Sequence, residues 1–356
     1  MKLKKIKIDL IFLEILLLLT LFSLLAIYSS TMIEGSIYFK KHFLRIILGI
    51  LALFIGILIP YEFWSGKRAK ILYIFSLVIL FLTILFSKII KFSGTIREFS
   101  IFSLKFQPQE FCKIVLLFFV ADFLAKIRER KELGKFHYEF LLIILLIFLI
   151  LIQPAIGTTI ILSLTVFTML LFAGIKFSII FFYILIIFSF LFTGINIFPH
   201  AKRRFEEFKK GNIYQQYHSK IAIGSGGLLG KGLGCGKQKF KFIPKIHTDF
   251  IFAGMAEELG FIIILFLLLG YYFILIRGIT IAQNAPTDFG RFFAIGFIFM
   301  ISFYIFIHIF SAFGLIPVTG QPLPFISYGG SALISNLFGM GVILNISREG
   351  RTFYEI

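Results

Sequence analysis

The chain has 356 residues, 59% of them hydrophobic, and Phe alone contributes 50; its mean hydropathy is +0.97. A water-soluble domain cannot bury that much apolar surface, so the composition excludes a soluble enzyme and points to a bilayer. The net charge of +18 calls for an anionic partner, no soluble module exists to hold nucleic acid, and two cysteines (Cys112 in an apolar run, Cys235 in a glycine-rich one) supply neither a disulfide framework nor a metal cluster.

Apolar runs near 20 residues recur along the whole chain and predict an all-α polytopic membrane protein, a single domain over residues 1–356, with about ten transmembrane helices. The spans fall at roughly 9–29, 43–60, 70–90, 108–125, 138–153, 155–175, 177–198, 250–276, 291–316 and 328–347. The basic segment before the first run lacks a following small-residue cleavage site, so that run is read as a retained helix. An even number of spans puts both termini on one side, and Lys2, Lys4, Lys5 and Lys7 make that side cytoplasmic. Lys67, Arg68 and Lys70, then Lys126, Arg128 and Arg130, then Arg277 and Arg291, fall on the same side. Trp64 reads as an interface anchor, and Glu14 in the first span has no assigned role.

The long loop between the seventh and eighth spans, residues 199–249, then lies outside. Between Lys202 and Lys245 it carries eleven Lys and Arg against Glu206 and Glu207. Long loops translocate regardless of charge, but the surplus suits an anionic lipid or phosphate. Residues 200–220 predict one short amphipathic helix in the interface, with Phe205 and Phe208 on a shared face. Seven glycines follow within Gly224–Gly236, then Lys237, Lys239 and Lys241 alternating with aromatics, then His247-Thr248-Asp249 at the mouth of an apolar helix. Glycines permit close backbone approach to a ligand. The glycine run is not a nucleotide loop, because Gly232 stands where a Walker A loop needs Ser or Thr.

Asp249 is a candidate general base and equally a candidate helix N-cap; the two roles are compatible. Glu110 and Lys113, three apart in the fourth span, share a helix face. They either line the cavity near Asp249, with Lys113 facing a phosphate, or form a self-contained ion pair. Asp249, Ala253, Ala256, Glu257 and Gly260 predict one stripe of acids and small residues on the eighth span; the second carboxylate assists chemistry, binds a cation, or is a buried structural acid. Residues 153–158 form a turn between spans. Residues 317–331, with three prolines and three glycines, forbid regular helix and supply Ser327, Tyr328 and Ser331 as the opposite wall of the site. His308 reads as a packing residue.

These motifs, in order, resemble the SEDS family that contains RodA and FtsW, over nearly the full length. The matches are an outer segment with Arg97 running into Gln107-Pro-Gln-Glu-Phe-Cys-Lys113, Gln153-Pro-Ala-Ile-Gly-Thr158, Ile223–Gly232, His247-Thr-Asp-Phe-Ile-Phe-Ala253 with Glu257-Glu258-Leu-Gly260, and Pro322–Ser331. The resemblance implies a peptidoglycan glycosyltransferase that polymerises lipid II at the outer membrane face. It implies Asp249 as the catalytic residue, supported by Glu110 and Lys113; Glu258 is a further supporting candidate. Arg97, Lys231, Lys237, Lys239, Lys241, His247, Thr248, Ser327 and Tyr328 are the expected substrate contacts. A class B penicillin-binding protein is the expected partner, within a larger set of divisome or elongasome membrane proteins. A divalent cation, Mg or Mn, on the pyrophosphate is compatible but not required. Departures from the family pattern are Ala155, Lys245, Glu98 and His308, where the family often has Asp, Glu, Trp and Asn. Gly236–Phe240, Ala285–Gly290 and Ile343–Arg348 resemble FtsW more than RodA. The rival readings are a flippase for the same lipid-linked precursor and a scaffold for the penicillin-binding protein.

Overall fold

The apolar runs fold as helices in the computed structural model, which describes residues 8–32, 35–89, 99–101, 104–129, 136–211, 213–240, 242–244 and 246–350. In chain order they are α1 (Leu10–Ser30), α2 (Ser36–Leu58), α3 (Lys67–Ile89), α4 (Pro108–Arg128), α5 (Phe136–Ile152), α6 (Ile156–Phe172), α7 (Phe177–Ile197), α8 (Pro199–Lys209), α9 (Tyr214–Gly226), α10 (Ile246–Asp249), α11 (Ile251–Gln283), α12 (Asp288–Ala312) and α13 (Gly330–Glu349). Two three-residue strands, β1 (Phe99–Ile101) and β2 (Leu104–Phe106), pair antiparallel ahead of α4. Helix starts follow local chemistry. The Asp9 carboxylate accepts from the Phe12 amide at 3.1 Å, Thr287 Oγ1 accepts from the Gly290 amide at 3.1 Å, and Pro108 and Pro199 open α4 and α8.

Among the described residues, seven helices are long and apolar enough to cross a membrane: α1, α2, α3, α7, α11, α12 and α13. α5 and α6 are shorter apolar helices. Exposed Leu, Ile and Phe cover the outward faces of α1, α2, α3, α7 and α11, a surface that only lipid solvates favourably. α4 is different. It carries Glu110, Lys113 and Asp122 and is buried along nearly its whole length, so its ionised groups face protein rather than lipid. α13 lies against α2 so closely that a Cβ on Gly56 would sit 2.5 Å from the Phe338 carbonyl, and one on Gly341 would sit 2.2 Å from that of Leu53. Small residues at such crossings replace the missing hydrophobic drive between helices in lipid.

Ion pairs gather at one end of the bundle: Arg277 with Asp9 at 2.9 Å, Lys126 with Asp122 at 2.5 Å, Arg128 with Asp288 at 3.0 Å, and Lys70 with Glu139. Residues 199–249 and 317–329 occupy the other end. There the single amphipathic helix expected over 200–220 is two helices, α8 and α9, because Gly211 turns the chain at φ +68°. The expected stripe from Asp249 to Gly260 is interrupted twice. Phe250 (φ −131°) separates α10 from α11, and Gly260 (φ +73°, ψ 178°) breaks α11 internally.

Candidate active site

The break at Gly260 is filled by the glycine run. In an unbroken helix the Phe261 and Ile262 amides would donate to the carbonyls of residues 257 and 258. Instead Lys231 N donates to Glu257 O and Gly232 N to Glu258 O, both at 3.0 Å. Phe261 N turns to Gly227 O at 2.9 Å and Ile262 N to Leu228 O at 3.2 Å. Four backbone groups orphaned at the break in α11 are thereby satisfied, which a membrane segment requires. The crossing needs glycine on both chains. A Cβ on Gly230 (φ +80°) would lie 2.2 Å from Glu258 O, and one on Gly260 would lie 2.2 Å from Gly230 N.

Glu257 and Glu258 complete the attachment. Glu257, fully buried, accepts from Lys237 N at 2.9 Å, Gln238 N at 3.0 Å and Lys231 Nζ at 2.7 Å. Glu258 accepts from Lys239 Nζ at 2.7 Å, Gly234 N at 3.2 Å and the Ser29 hydroxyl of α1. This corrects the expectation that Lys231, Lys239 and the loop amides face a phosphate: two buried carboxylates take them. Glu258 belongs to this anchor rather than to the surroundings of Asp249. Lys237 is exposed, and Lys241 and Arg97 lie outside the described residues.

Asp249 ends the one-turn α10 and is half-buried. It lines an open cavity of about 570 Å³ together with His200, Arg203, Arg204 and Glu207 of α8, Tyr214 at the start of α9, and Val318. Gly320 (φ +67°) lets the chain pass beside the carboxylate; a Cβ there would sit 3.8 Å from Asp249 Oδ2 and 4.0 Å from Arg204 Nη1. Arg204 Nη1 donates to Val318 O at 3.3 Å, and Arg203 Nε to Glu207 at 2.7 Å. The hydrogen bond and charge of Glu207 push the pKa of Arg203 further up, so it is a permanent cation. The cations above Asp249 therefore come from α8, not from the glycine loop. Sequence reasoning placed α8 in the interface but did not single out His200, Arg203 and Arg204; the signal available was the adjacent arginine pair, whose planar forks match phosphate oxygens.

Behind Asp249 the protein is polar and closed. His308 Nδ1 lies 2.8 Å from Gln321 O, one residue after Gly320, and its ring is within electrostatic reach of Asp249. Thr158 Oγ1 lies 3.5 Å from Gln321 Oε1. Lys113 and Glu110 pair at 2.5 Å, both buried, with Nζ 4.9 Å from the centre of the Tyr304 ring. Of the two readings of this pair, the geometry is that of a closed ion pair inside the protein. The Lys113 ammonium faces Glu110 and Tyr304 rather than the open cavity.

Residues 317–329 are non-helical, and Phe325 takes φ +66°. Ser327 Oγ donates to Thr248 O at 2.8 Å and accepts from Leu323 N at 2.8 Å, so its hydroxyl braces the motif instead of facing substrate. Tyr328 N donates to His247 O at 2.9 Å. Tyr328, His247 and Tyr38 of α2 form an aromatic cluster with ring centres 5.2–5.5 Å apart. His247 is buried and Thr248 half-buried. The wall thereby places Asp249 at the cavity edge. Among the described residues no three His, Cys, Asp or Glu side chains come together as a metal site.

Residues 5–352 match a family model described as the cell cycle protein FtsW/RodA/SpoVE. The peptidoglycan glycosyltransferase MrdB of Escherichia coli K12 is 35% identical over 96% of this chain and 94% of its own length. A probable peptidoglycan glycosyltransferase FtsW of Trichlorobacter lovleyi is 32% identical over 95% and 93%. The crystal structure of the rod shape determining protein RodA of Thermus thermophilus superposes with a TM-score of 0.72 at 25% identity, covering 98% of this chain and 99% of that one. A chain from a structure on the coordination of polymerization and crosslinking by a peptidoglycan synthase complex has the same fold, with a TM-score of 0.77 at 24% identity over 96% and 98%. With the family model spanning nearly the whole sequence and both curated relatives above 30% identity, the chain belongs to the FtsW/RodA/SpoVE family.

Proposed function

We propose that the protein polymerises lipid II into glycan strands at the outer face of the cytoplasmic membrane, with Asp249 as general base. One observation carries the reading: Asp249 stands at the edge of an open cavity whose other side presents His200, Arg203 and Arg204. In the reaction the hydroxyl of the acceptor sugar attacks the anomeric carbon of the donor. The new C–O bond forms as the bond to the lipid diphosphate breaks, and Asp249 takes the hydroxyl proton. Arg203 and Arg204 offset the charge gathering on the departing diphosphate. The negative charge moves from base to leaving group, so a fixed carboxylate below fixed cations suits both ends of the displacement. The names of the relatives support this activity. Ten spans with both termini cytoplasmic, and a class B penicillin-binding protein as partner, complete the proposal. Gly236–Phe240, Ala285–Gly290 and Ile343–Arg348 favour a division role over elongation.

The test is lipid II polymerisation by the purified chain, with and without a class B penicillin-binding protein, for wild type and Asp249→Asn. Long glycan from wild type and none from an equally stable Asp249→Asn is expected. Equal polymerisation by both would remove Asp249 from the chemistry. No glycan from either, partner present, would leave the flippase or scaffold reading in its place.

A further inference from the structure

A second cationic site lies on α2. Arg45 is 5% exposed, yet its Nη1 has no hydrogen-bond partner, and no carboxylate pairs with it among the described residues. Its guanidinium carbon stands 4.2 Å from the centre of the Tyr328 ring. Gly330, at the start of α13, makes the space, since a Cβ there would lie 2.7 Å from Arg45 Nε. One turn earlier on the same helix face, His42 is fully buried, and its Nδ1 also has no partner among the described residues. Its Nε2 lies 2.8 Å from Ser23 Oγ, whose single hydrogen goes to Thr20 O at 2.6 Å. Nε2 is therefore the donor nitrogen, and Nδ1 carries no hydrogen in that tautomer, so Arg45 alone offers an anion a free donor here.

A buried guanidinium without a counter-ion is unfavourable. The Tyr328 face offsets only part of that. An anion in the site offsets the rest, and the planar fork of Arg45 matches two oxygens of a phosphate. We propose that Arg45 binds the diphosphate of a second lipid-linked saccharide. The proposal rests on the polymerase reading, in which two such substrates meet. The placement fits: Tyr328, stacked on Arg45, is bonded through its amide to His247, two residues before Asp249. The α8 cations and Arg45 thus approach the Asp249 segment from different elements, one site for each diphosphate. An anionic phospholipid headgroup shares the phosphate chemistry, so the experiment separates the two sources.

Binding of farnesyl diphosphate, and separately of phosphatidylglycerol, is measured on the full chain in phosphatidylcholine nanodiscs. The proteins are wild type, Arg45→Gln, Arg45→Lys and Arg203→Gln/Arg204→Gln. Wild type is expected to bind two farnesyl diphosphates. Arg45→Gln should lose one of them, with affinity there down roughly tenfold or more. Arg45→Lys should retain part of it, and the α8 double variant should lose only the other. Glycan synthesis by Arg45→Gln should show a raised KM for lipid II. Unfolding of Arg45→Gln at or above the wild-type temperature is expected, because an uncompensated charge has been removed. Unchanged farnesyl diphosphate binding by Arg45→Gln overturns the site. A loss confined to phosphatidylglycerol overturns its assignment to substrate. Arg45-dependent diphosphate binding by a wild type that makes no glycan would defeat the polymerase reading and leave the anion site standing.

Discussion

Replacing Glu257 by Gln tests whether the glycine loop is held by the carboxylate beneath it. The side chain is fully buried and gathers three donors, the Lys237 and Gln238 amides and the Lys231 ammonium. A glutamine offers one acceptor oxygen and turns an NH2 toward the others, so at least one amide loses its partner at about 1–3 kcal/mol. Removing one member of a buried ion pair costs about 3–5 kcal/mol. Lys231 keeps 29% of its side chain exposed, and water recovers part of its solvation. The lower end, about 3 kcal/mol, is therefore expected for local opening, which is a factor of roughly 10² in the opening equilibrium. Hydrogen exchange read by mass spectrometry should show the amides of residues 231–239 exchanging about a hundredfold faster, while those of α13 stay unchanged. Lys231→Met leaves both amide bonds to Glu257 in place but strips the fully buried carboxylate of its cation, so an acceleration of at least the same size is expected. Wild-type exchange at Lys237 and Gln238 in Glu257→Gln would refute the anchoring role.

Gly230→Ala should prevent docking of the glycine run on α11, seen as loss of a monodisperse peak on size-exclusion chromatography, because its Cβ would stand 2.2 Å from the Glu258 carbonyl and 2.6 Å from the Gly260 amide. Gly224→Ala should be silent in the same assay, since nothing lies within 4 Å of its Cβ. Tyr61, in the turn after α2, has its pKa raised by burial to about 12 from an ordinary 10.0. The folded state holds this proton more tightly than the unfolded one, so its contribution to stability is whole below pH 10.0 and falls away as pH rises toward about 12. Phenolate absorbance of Tyr61→Phe against wild type should show no Tyr61 ionisation at pH 10 in the folded protein.

Much of this architecture was legible because lipid imposes a simple rule on sequence. Apolar runs of span length became helices, and the acid of His247-Thr248-Asp249 stood out because it directly precedes such a run. Boundaries moved where charge is compatible with helix: α2 begins at Ser36, ahead of Lys40 and Lys41, and α11 runs on past Arg277 to Gln283. The internal break at Gly260 was not legible. A single glycine in an apolar helical pattern is ordinary, and only its φ of +73° marks the interruption.

The larger misreading has one physical cause. Lysines and glycines near an active site suit an anionic ligand, and acids within an apolar span suit chemistry, a cation or a buried structural bond, so the two sets were read without reference to each other. The structure makes them two halves of one joint. Glu257 and Glu258 are tolerated near the Asp249 end of α11 because Lys231 and Lys239 neutralise them, 26 and 19 residues away in sequence. The glycines are needed because backbone must touch backbone where the helix opens. Lysines already bonded to buried carboxylates are poor phosphate ligands, and in the proposed reaction that role falls to cations without such partners. Among the described residues those include Arg204, which donates to the Val318 backbone carbonyl, and Arg45, which has no carboxylate partner. In a membrane protein an intramembrane acid should therefore be matched first against the cations of the nearest polar loop; the cations left over mark where an anionic substrate can bind.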